Sequence, residues 1–367
     1  MEDAHTTLLD IEDSNGTAFF AVYDGHGGPN VAKYSGEGLH KRIVNDSAFA
    51  KGDYTAAIKN GFLEMDRALR YDPEYGNDSS GCTAITATVT NKNVLYVGNA
   101  GDSRAVLGTD GAAIALSNDH KPVNKAEARR IVAAGGFVEY GRVNGSLALS
   151  RALGDFEFKQ NATLGPDDQI VTANPVIVEH KLTDDDELIV LACDGIWDCM
   201  SSQEVITFVR KGVAEGHSLD KLCEMTMDRC LAVDSGLTGV GCDNMTMVIV
   251  AFLNGRTVEE WQQHVARRVA VRLGPPDSTI RANGDEDPEV FNEKPVAIVE
   301  TDSQDKLDED EEKADAASPE TPQPEAEAEK PVDENPTQEV SPESEKPAQD
   351  EKEKAALTTD TAANHDK

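Results

Sequence analysis

Long apolar stretches are missing from this chain. The longest uninterrupted one, Met247–Leu253, is seven residues, against roughly 20 for a helix that spans a bilayer, so no membrane association is expected. No Lys or Arg precedes Lys33, so the positive n-region that opens a secretory signal peptide is absent from this sequence. The six cysteines form no CxxC pair, which predicts reduced, partly buried thiols in an intracellular protein. Cations are scarce, with 34 Lys and Arg against 68 Asp and Glu. Nucleic acid is therefore not an expected partner, because phosphate backbones are bound by clustered Lys and Arg. P-loop, EF-hand, HExxH and GxSxG patterns are also lacking.

What is present is unevenly distributed. Residues 275–367 hold 29 acidic and 9 basic residues, 11 of the 16 prolines and a single aromatic, Phe291. Such a segment has too little apolar surface to offset the entropy of ordering, and it is expected to be a disordered tail. It repeats Glu-Lys-Pro at 293–295, 329–331 and 345–347. Residues 1–274 carry the other aromatics and can bury a core.

Within that part, TAFFAVY (17–23) reads as a buried strand ending at Asp24-Gly25. Pro29 suits the first turn of a helix running to about Val44. Asp53 can cap a second helix, whose Ile58, Phe62, Met65 and Leu69 share one face. Four short strands are predicted at 83–89, 93–98, 103–108 and 112–116, with connections short enough for antiparallel neighbours. Asn124 with Glu127 opens a helix that ends at Gly135-Gly136. Ser201 and Glu204 form a capping-box pattern for a helix to about Val213, another covers about 218–231, and Thr257 with Glu260 starts a last one. Met245–Leu253 is the last predicted core strand. This order of elements predicts an α+β fold with antiparallel sheets.

Four aspartates share one context, the end or start of a buried strand: Asp24 after AFFAVY, Asp102 in Gly-Asp-Ser, Asp194 after ELIVLAC, and Asp243 before NMTMVIVAF. Glu2 and Asp3 add carboxylates, and Asp198 follows Asp194 by four. A single such aspartate is ordinarily a turn residue. Several converging at strand ends would repel one another unless cations neutralise them, and hard cations such as Mg²⁺ or Mn²⁺ take oxygen ligands. His26, in Asp-Gly-His-Gly-Gly, could be a metal ligand, a general acid or a loop hydrogen bonder.

These segments resemble a known family. Met1-Glu2-Asp3-Ala4-His5, Phe20 to Gly28 (FAVYDGHGG), Gly98 to Arg104 (GNAGDSR), Ser150 to Asp155 (SRALGD), Ala192 to Asp198 (ACDGIWD) and Gly241 to Thr246 (GCDNMT) are similar, in order, to the motifs of type 2C protein phosphatases. The match runs from residue 1 to about 254, and the acidic tail looks like that of fungal members. The resemblance implies a central antiparallel β-sandwich flanked by pairs of helices (αββα). It also implies hydrolysis of phosphoserine and phosphothreonine in proteins by direct attack of a water bridging two Mn²⁺ or Mg²⁺ ions, with no phosphoenzyme. Asp24 would bridge the ions and the Gly25 carbonyl would bind one. Asp194 and Asp243 would complete the other's ligands, Glu2 and Asp3 would hold bound waters, and Asp102 and Asp198 would form a weaker third position. His26 would be the general acid, and about 156–172 a mobile flap. Cys193 and Cys242, beside ligands, are expected to be small core residues. The family also carries an arginine three residues before the methionine that is Met1 here. The catalytic domain, 1–274, is accordingly expected to lack that arginine and its strand, leaving Arg142 and Arg151 either as candidate phosphate contacts or as structural residues, and Glu2 and Asp3 at a frayed terminus. A monomer in the cytoplasm or nucleus, acting on phosphorylated proteins, is expected.

Deleting residues 275–367 should leave cooperative unfolding intact and turnover of small aryl phosphates nearly unchanged. Loss of the cooperative transition in a thermal melt would show that the acidic segment belongs to the fold.

Overall fold

The computed structural model describes residues 1–271, apart from 13, 15 and 234–238. The acidic segment from 275 and its boundary at 274 lie outside the described residues. In chain order the strands are β1 (Ala4–Leu8), β2 (Ala18–Tyr23), β3 (Gly25–His26), β4 (Gly81–Cys82), β5 (Ala84–Val89), β6 (Val94–Ala100), β7 (Arg104–Thr109), β8 (Ala112–Ala115), β9 (Val138–Glu139), β10 (Arg142–Val143), β11 (Leu153–Gly154), β12 (Val176–Lys181), β13 (Asp186–Ala192) and β14 (Met247–Ala251). The helices are α1 (Asn30–Asn45), α2 (Ser47–Ala50), α3 (Tyr54–Tyr71), α4 (Lys125–Ala133), α5 (Asp194–Trp197), α6 (Ser202–Ala214), α7 (Leu219–Cys230) and α8 (Val258–Ala270).

Two antiparallel sheets stack face to face, one in the order β1-β2-β5-β6-β12 and the other β14-β13-β7-β8. The near-continuous apolar strands of the sequence are explained by burial on both faces. Along β2, Phe20 and Val22 point between the sheets, where they meet Ile85, Val97, Leu107, Ile189 and Leu191. The alternate residues Phe19, Ala21 and Tyr23 point outward onto Leu39, Ile43, Ile58, Phe62 and Met65 of α1 and α3. Along β13, Leu188 and Val190 point the other way, onto Val205, Val209, Leu222, Trp261 and Val265 of α6, α7 and α8. Three apolar layers thus alternate with two sheets and two helical layers, the αββα arrangement. Each large side chain fully buried in them contributes about 1.5–3 kcal/mol.

Local signals explain most helix ends. Ser201 and Thr257 each form a complete capping box with Glu204 and Glu260, and the Asp53 carboxylate accepts from Ala56 N at 3.0 Å. Other expectations need correction. The strands at 94–100 and 104–109 are not neighbours, because Ala100 ends a strand of the first sheet and Arg104 begins one of the second. Gly101, at φ +127°, takes the chain across in a backbone conformation that a side chain would resist. The first residues are not frayed, since Ala4–Leu8 pair with Phe19–Tyr23 as an edge strand. β12 was not foreseen; its sequence, VIVEHK, mixes charge with apolar residues, and it is fixed by pairing with β6.

Glu127 is also redirected. It stands at the capping-box position of α4, yet Asn124 makes no side-chain cap bond. Its carboxylate is buried and instead meets Arg151 at 2.6 Å, Arg130 at 2.7 Å and the Ser150 hydroxyl at 2.6 Å. Burial alone would raise its pKa, but the two guanidinium groups prevail and hold it at about 2. A carboxyl held below its ordinary value of 4.5 contributes stability that is complete above that value and is lost as pH falls towards the folded one. Glu127→Gln strands two partly buried guanidinium groups and should cost about 3 kcal/mol near neutral pH. In melts from about pH 6 down to about pH 3, the gap between parent and variant should narrow as pH falls; a constant gap would mean that Glu127 acts through packing alone.

Candidate metal and phosphate site

Strand register, more than any loop, assembles the carboxylates. Ala4 pairs with Tyr23, Val22 with Ile85, and Ala84 with Ala100. Asp3 before β1, Asp24 after β2 and Asp102 beyond β6 therefore leave the first sheet at one end. In the second sheet Ala192 pairs with both Met247 and Arg104. Asp194 after β13, Asp243 upstream of β14 and Asp102 before β7 leave at that same end. Asp102 sits at the point where the chain changes sheets.

The two sheets are tied together here. The Thr246 hydroxyl donates to Asp3 Oδ2 at 2.7 Å, and Glu2 N donates to Asn244 Oδ1 at 2.6 Å. Gly28 N donates to Glu2 Oε2 at 3.2 Å. The backbone of Asp24 is clamped by Thr83, which donates its N–H to Asp24 O at 2.9 Å and accepts from Asp24 N at 3.2 Å. Asp198 N donates to Asp194 O across α5 at 2.8 Å.

Electrostatics show the cost of this convergence. Burial, then the charges of Asp194, Asp3 and Asp102, push the Asp24 carboxyl up to about 9. Burial, then Asp102 and Asp198, push Asp194 up to about 6, although Lys121 pulls the other way. Asp3 and Asp198 are raised as well, chiefly by burial. A cation brought to this cluster is Lys121, whose Nζ lies 2.5 Å from Asp102 Oδ2.

No three His, Cys, Asp or Glu side chains among the described residues close around one point as a finished metal cage. Mg²⁺ does not require one, because it keeps waters and takes only one or two carboxylates. The residues fit such an ion in other respects. The donors are all oxygen, the carboxyls are pushed up by one another, and Asp3 Oδ1 is buried with no hydrogen-bond partner.

His26 stands beside this cluster on a separate three-stranded sheet, β11-β4-β3. Its Nε2 lies 2.8 Å from Asp155 Oδ2. Burial alone would lower its pKa, but the hydrogen bond and charge of Asp155, with Asp102 and Glu2, raise it. The imidazolium form is thereby favoured.

Arg151 is not arranged as a free phosphate contact. Its Nε and Nη2 donate to Glu127 and its Nη1 to Asn174 O, so it joins α4 to the segment after β11. Arg142 is exposed on the β9–β10 hairpin and donates to Ser146 O at 2.6 Å. The segment 156–172, expected as a mobile flap, meets α3 through Lys59–Asp167 at 2.8 Å and buried Lys159–Asp66 at 2.6 Å, and within it the Gln169 amide donates to Asn161 O and Leu164 O. A cavity of about 980 Å³ lies between this segment and α1 and α3, lined by Asp66, Arg70 and Lys159 among others. Of the two cysteines beside ligands, Cys193 is buried, but Cys242 is exposed. Sequence reasoning missed Lys121, Asn244, Thr246 and Asp155. Asp155 carried a local signal as the last residue of the quoted SRALGD segment, and Asn244 and Thr246 as members of GCDNMT, whereas Lys121 lay in no quoted motif.

Residues 1–238 match the family described as protein phosphatase 2C. The chain belongs to that family. It is 55% identical over 287 residues to protein phosphatase 2C homolog 2 of Aspergillus fumigatus, covering 75% of this chain and 67% of that one. It is 54% identical over 279 residues to protein phosphatase 2C homolog 2 of Schizosaccharomyces pombe, covering 75% of each. A crystal structure of a phosphatase from a pathogenic strain of Toxoplasma gondii superposes with a TM-score of 0.59 at 27% identity, covering 70% of this chain and 89% of that one. The family membership makes this chain a protein serine/threonine phosphatase, with antiparallel sheets and flanking helices arranged as the resemblance implied.

Asp194→Asn removes one of the mutually repelling carboxylates. Carboxyls whose folded pKa is raised cost stability as pH rises from about 4 towards 9 when no cation is bound. The metal-free variant should therefore melt about 2–4 °C higher than the parent near neutral pH, while the rise in melting temperature on adding Mn²⁺ largely disappears. An unchanged Mn²⁺-induced shift would remove Asp194 from the ligand set.

Proposed function

We propose that this phosphatase hydrolyses phosphoserine and phosphothreonine in proteins by direct attack of water, using two Mn²⁺ or Mg²⁺ ions and no phosphoenzyme. The observation that carries the reading is the convergence of Asp3, Asp24, Asp102, Asp194 and Asp198 at one end of the sandwich, where the carboxyls of Asp3, Asp24, Asp194 and Asp198 are destabilised by burial and by neighbouring acids. Asp24, the Gly25 carbonyl, Asp194 and Asp243 would hold the ions. Glu2 and Asp3 would orient bound waters, and Asp102 with Asp198 would offer a weaker third position. When bound, divalent cations screen a phosphate dianion and acidify a water to the point where it can act as a nucleophile.

The side chains nearby support a direct displacement. Cys193 is buried, accepts a hydrogen bond from Thr246 N at 3.1 Å and has its thiol pushed up by burial. Thr83 and Ser103 are buried and bonded to each other at 2.6 Å. None of the three is free to act as a nucleophile. The serine or threonine alkoxide that must leave needs a proton, and His26 would donate it.

His26→Ala should slow hydrolysis of phosphoserine peptides by about 10²–10⁴-fold. Hydrolysis of an activated aryl phosphate, whose leaving group needs little protonation, should change far less. Equal losses on the two substrates, compared at saturating Mn²⁺, would assign His26 a role other than general acid.

A further inference from the structure

We infer that Asp155 is a positioning residue for the reaction: by accepting from His26 Nε2 it fixes the imidazole's orientation and tautomer, so that Nδ1 is the nitrogen that handles the leaving group's proton. The inference rests on the general-acid reading of His26 and extends it to a residue 129 positions away in the chain.

The geometry is built for this one contact. β3 and β11 both pair with β4, so that His26 and Gly154 each lie opposite Gly81. A side chain at position 81 would collide with the pair, since a Cβ there would sit 2.2 Å from Asp155 Oδ2 and 2.6 Å from His26 Nε2. Asp155 itself adopts a left-handed backbone, φ +50°, a conformation that costs free energy for a residue with a side chain. It is held there by its own N–H donating to Ser80 O at 3.3 Å and by Phe158 N donating to its carbonyl at 3.0 Å. One residue earlier, Gly154 N donates to Asp66 Oδ1 at 2.9 Å, and Asp66 is fixed in turn by Lys159 at 2.6 Å. The Asp155 side chain is 4% exposed and that of His26 29%. The carboxylate is thus buried behind the ring, while the ring keeps an open edge.

A carboxylate that accepts from one ring nitrogen determines which nitrogen carries the proton and which remains for chemistry. A neutral imidazole returned after each proton transfer has two tautomers, and only the one with Nε2–H satisfies a buried Asp155. Without that partner the ring could rotate and present either nitrogen, so the fraction of encounters with a correctly aimed donor would fall.

The test is a mutant cycle on the full chain with two substrates, a phosphoserine peptide and an activated aryl phosphate. Asp155→Asn and Asp155→Gly both tolerate a left-handed backbone, so either can retain the fold. Each should lower kcat for the phosphopeptide by about 10–10³-fold with little change in KM, and leave the aryl phosphate nearly untouched. In a His26→Ala background the same substitutions should cost nothing further, because the residue they position is gone. With Mg²⁺ bound and the pH raised until the ring is neutral, nitrogen-detected NMR of His26 should show the Nε2–H tautomer in the parent and a mixture in Asp155→Gly. Equal losses on both substrates, or losses that add to those of His26→Ala, would overturn the inference and make Asp155 a structural residue. If His26→Ala alone shows no preference between the substrates, the general-acid reading fails, whereas a selective His26→Ala with unselective Asp155 variants sinks only the role of Asp155.

Discussion

The repulsion between buried carboxylates at one end of the sandwich is the constraint that the rest of the structure answers to. Asp24 meets Asp194, Asp3 and Asp102, and each neighbour raises the free energy of its charged form. In water such groups would move apart. Here they cannot, because each is one or two residues from a strand whose register is set by its neighbours. Tyr23 is locked opposite Ala4, and Ala192 opposite Met247. Moving any one carboxylate by a residue would turn its strand's apolar side chains to the wrong layer. The hydrophobic layers therefore supply the force that holds the charges together.

The same argument shows why both sheets are needed. Asp24 belongs to the first and Asp194 to the second, so the gap between the two carboxylates is set by the thickness of the layer between the sheets. That layer is filled by Phe20, Val22, Ile85, Val97, Leu107, Ile189 and Leu191. A close-packed interior of this kind deforms little. The links across the sheets, Thr246 to Asp3 and Glu2 to Asn244, then adjust the local aim of the ligands without setting the spacing themselves.

How much could be seen in the sequence follows from which signals are local. The helix caps at Ser201 and Thr257 were legible because the box is written in four consecutive residues. The strand-ending aspartates were legible because an apolar run that stops at Asp-Gly is visible without its partners. The change of sheet at Gly101 was not, since a short connection looks like a hairpin until its two strands find different neighbours. Glu127 was misread as part of a cap because its true partners include Arg151, 24 residues on, and buried guanidinium groups outweigh a cap on a helix end. Arg151 has the same long-range partner, Glu127, which its own motif does not reveal. The pairing of His26 with Asp155 was invisible: it depends on two short strands that meet only across β4, and nothing in either segment names the other.

The separate small sheet also resolves a chemical conflict. A histidine among the carboxylates of the main site would serve as one more ligand, and an imidazole that binds a cation through its lone pair cannot carry a proton on that nitrogen. Placing His26 two residues beyond Asp24, on β3, keeps it adjacent to the site but gives it a different partner. Asp155 reaches it from behind, through a gap left open by Gly81. Two populations of buried acid thus lie near one another in the fold, though far apart in the chain. Those at the strand ends have one another and Lys121 for company and are suited to divalent cations. Asp155 has an imidazole and is suited to a proton. The division of labour is made by backbone pairing, since the carboxylate group itself is the same in both.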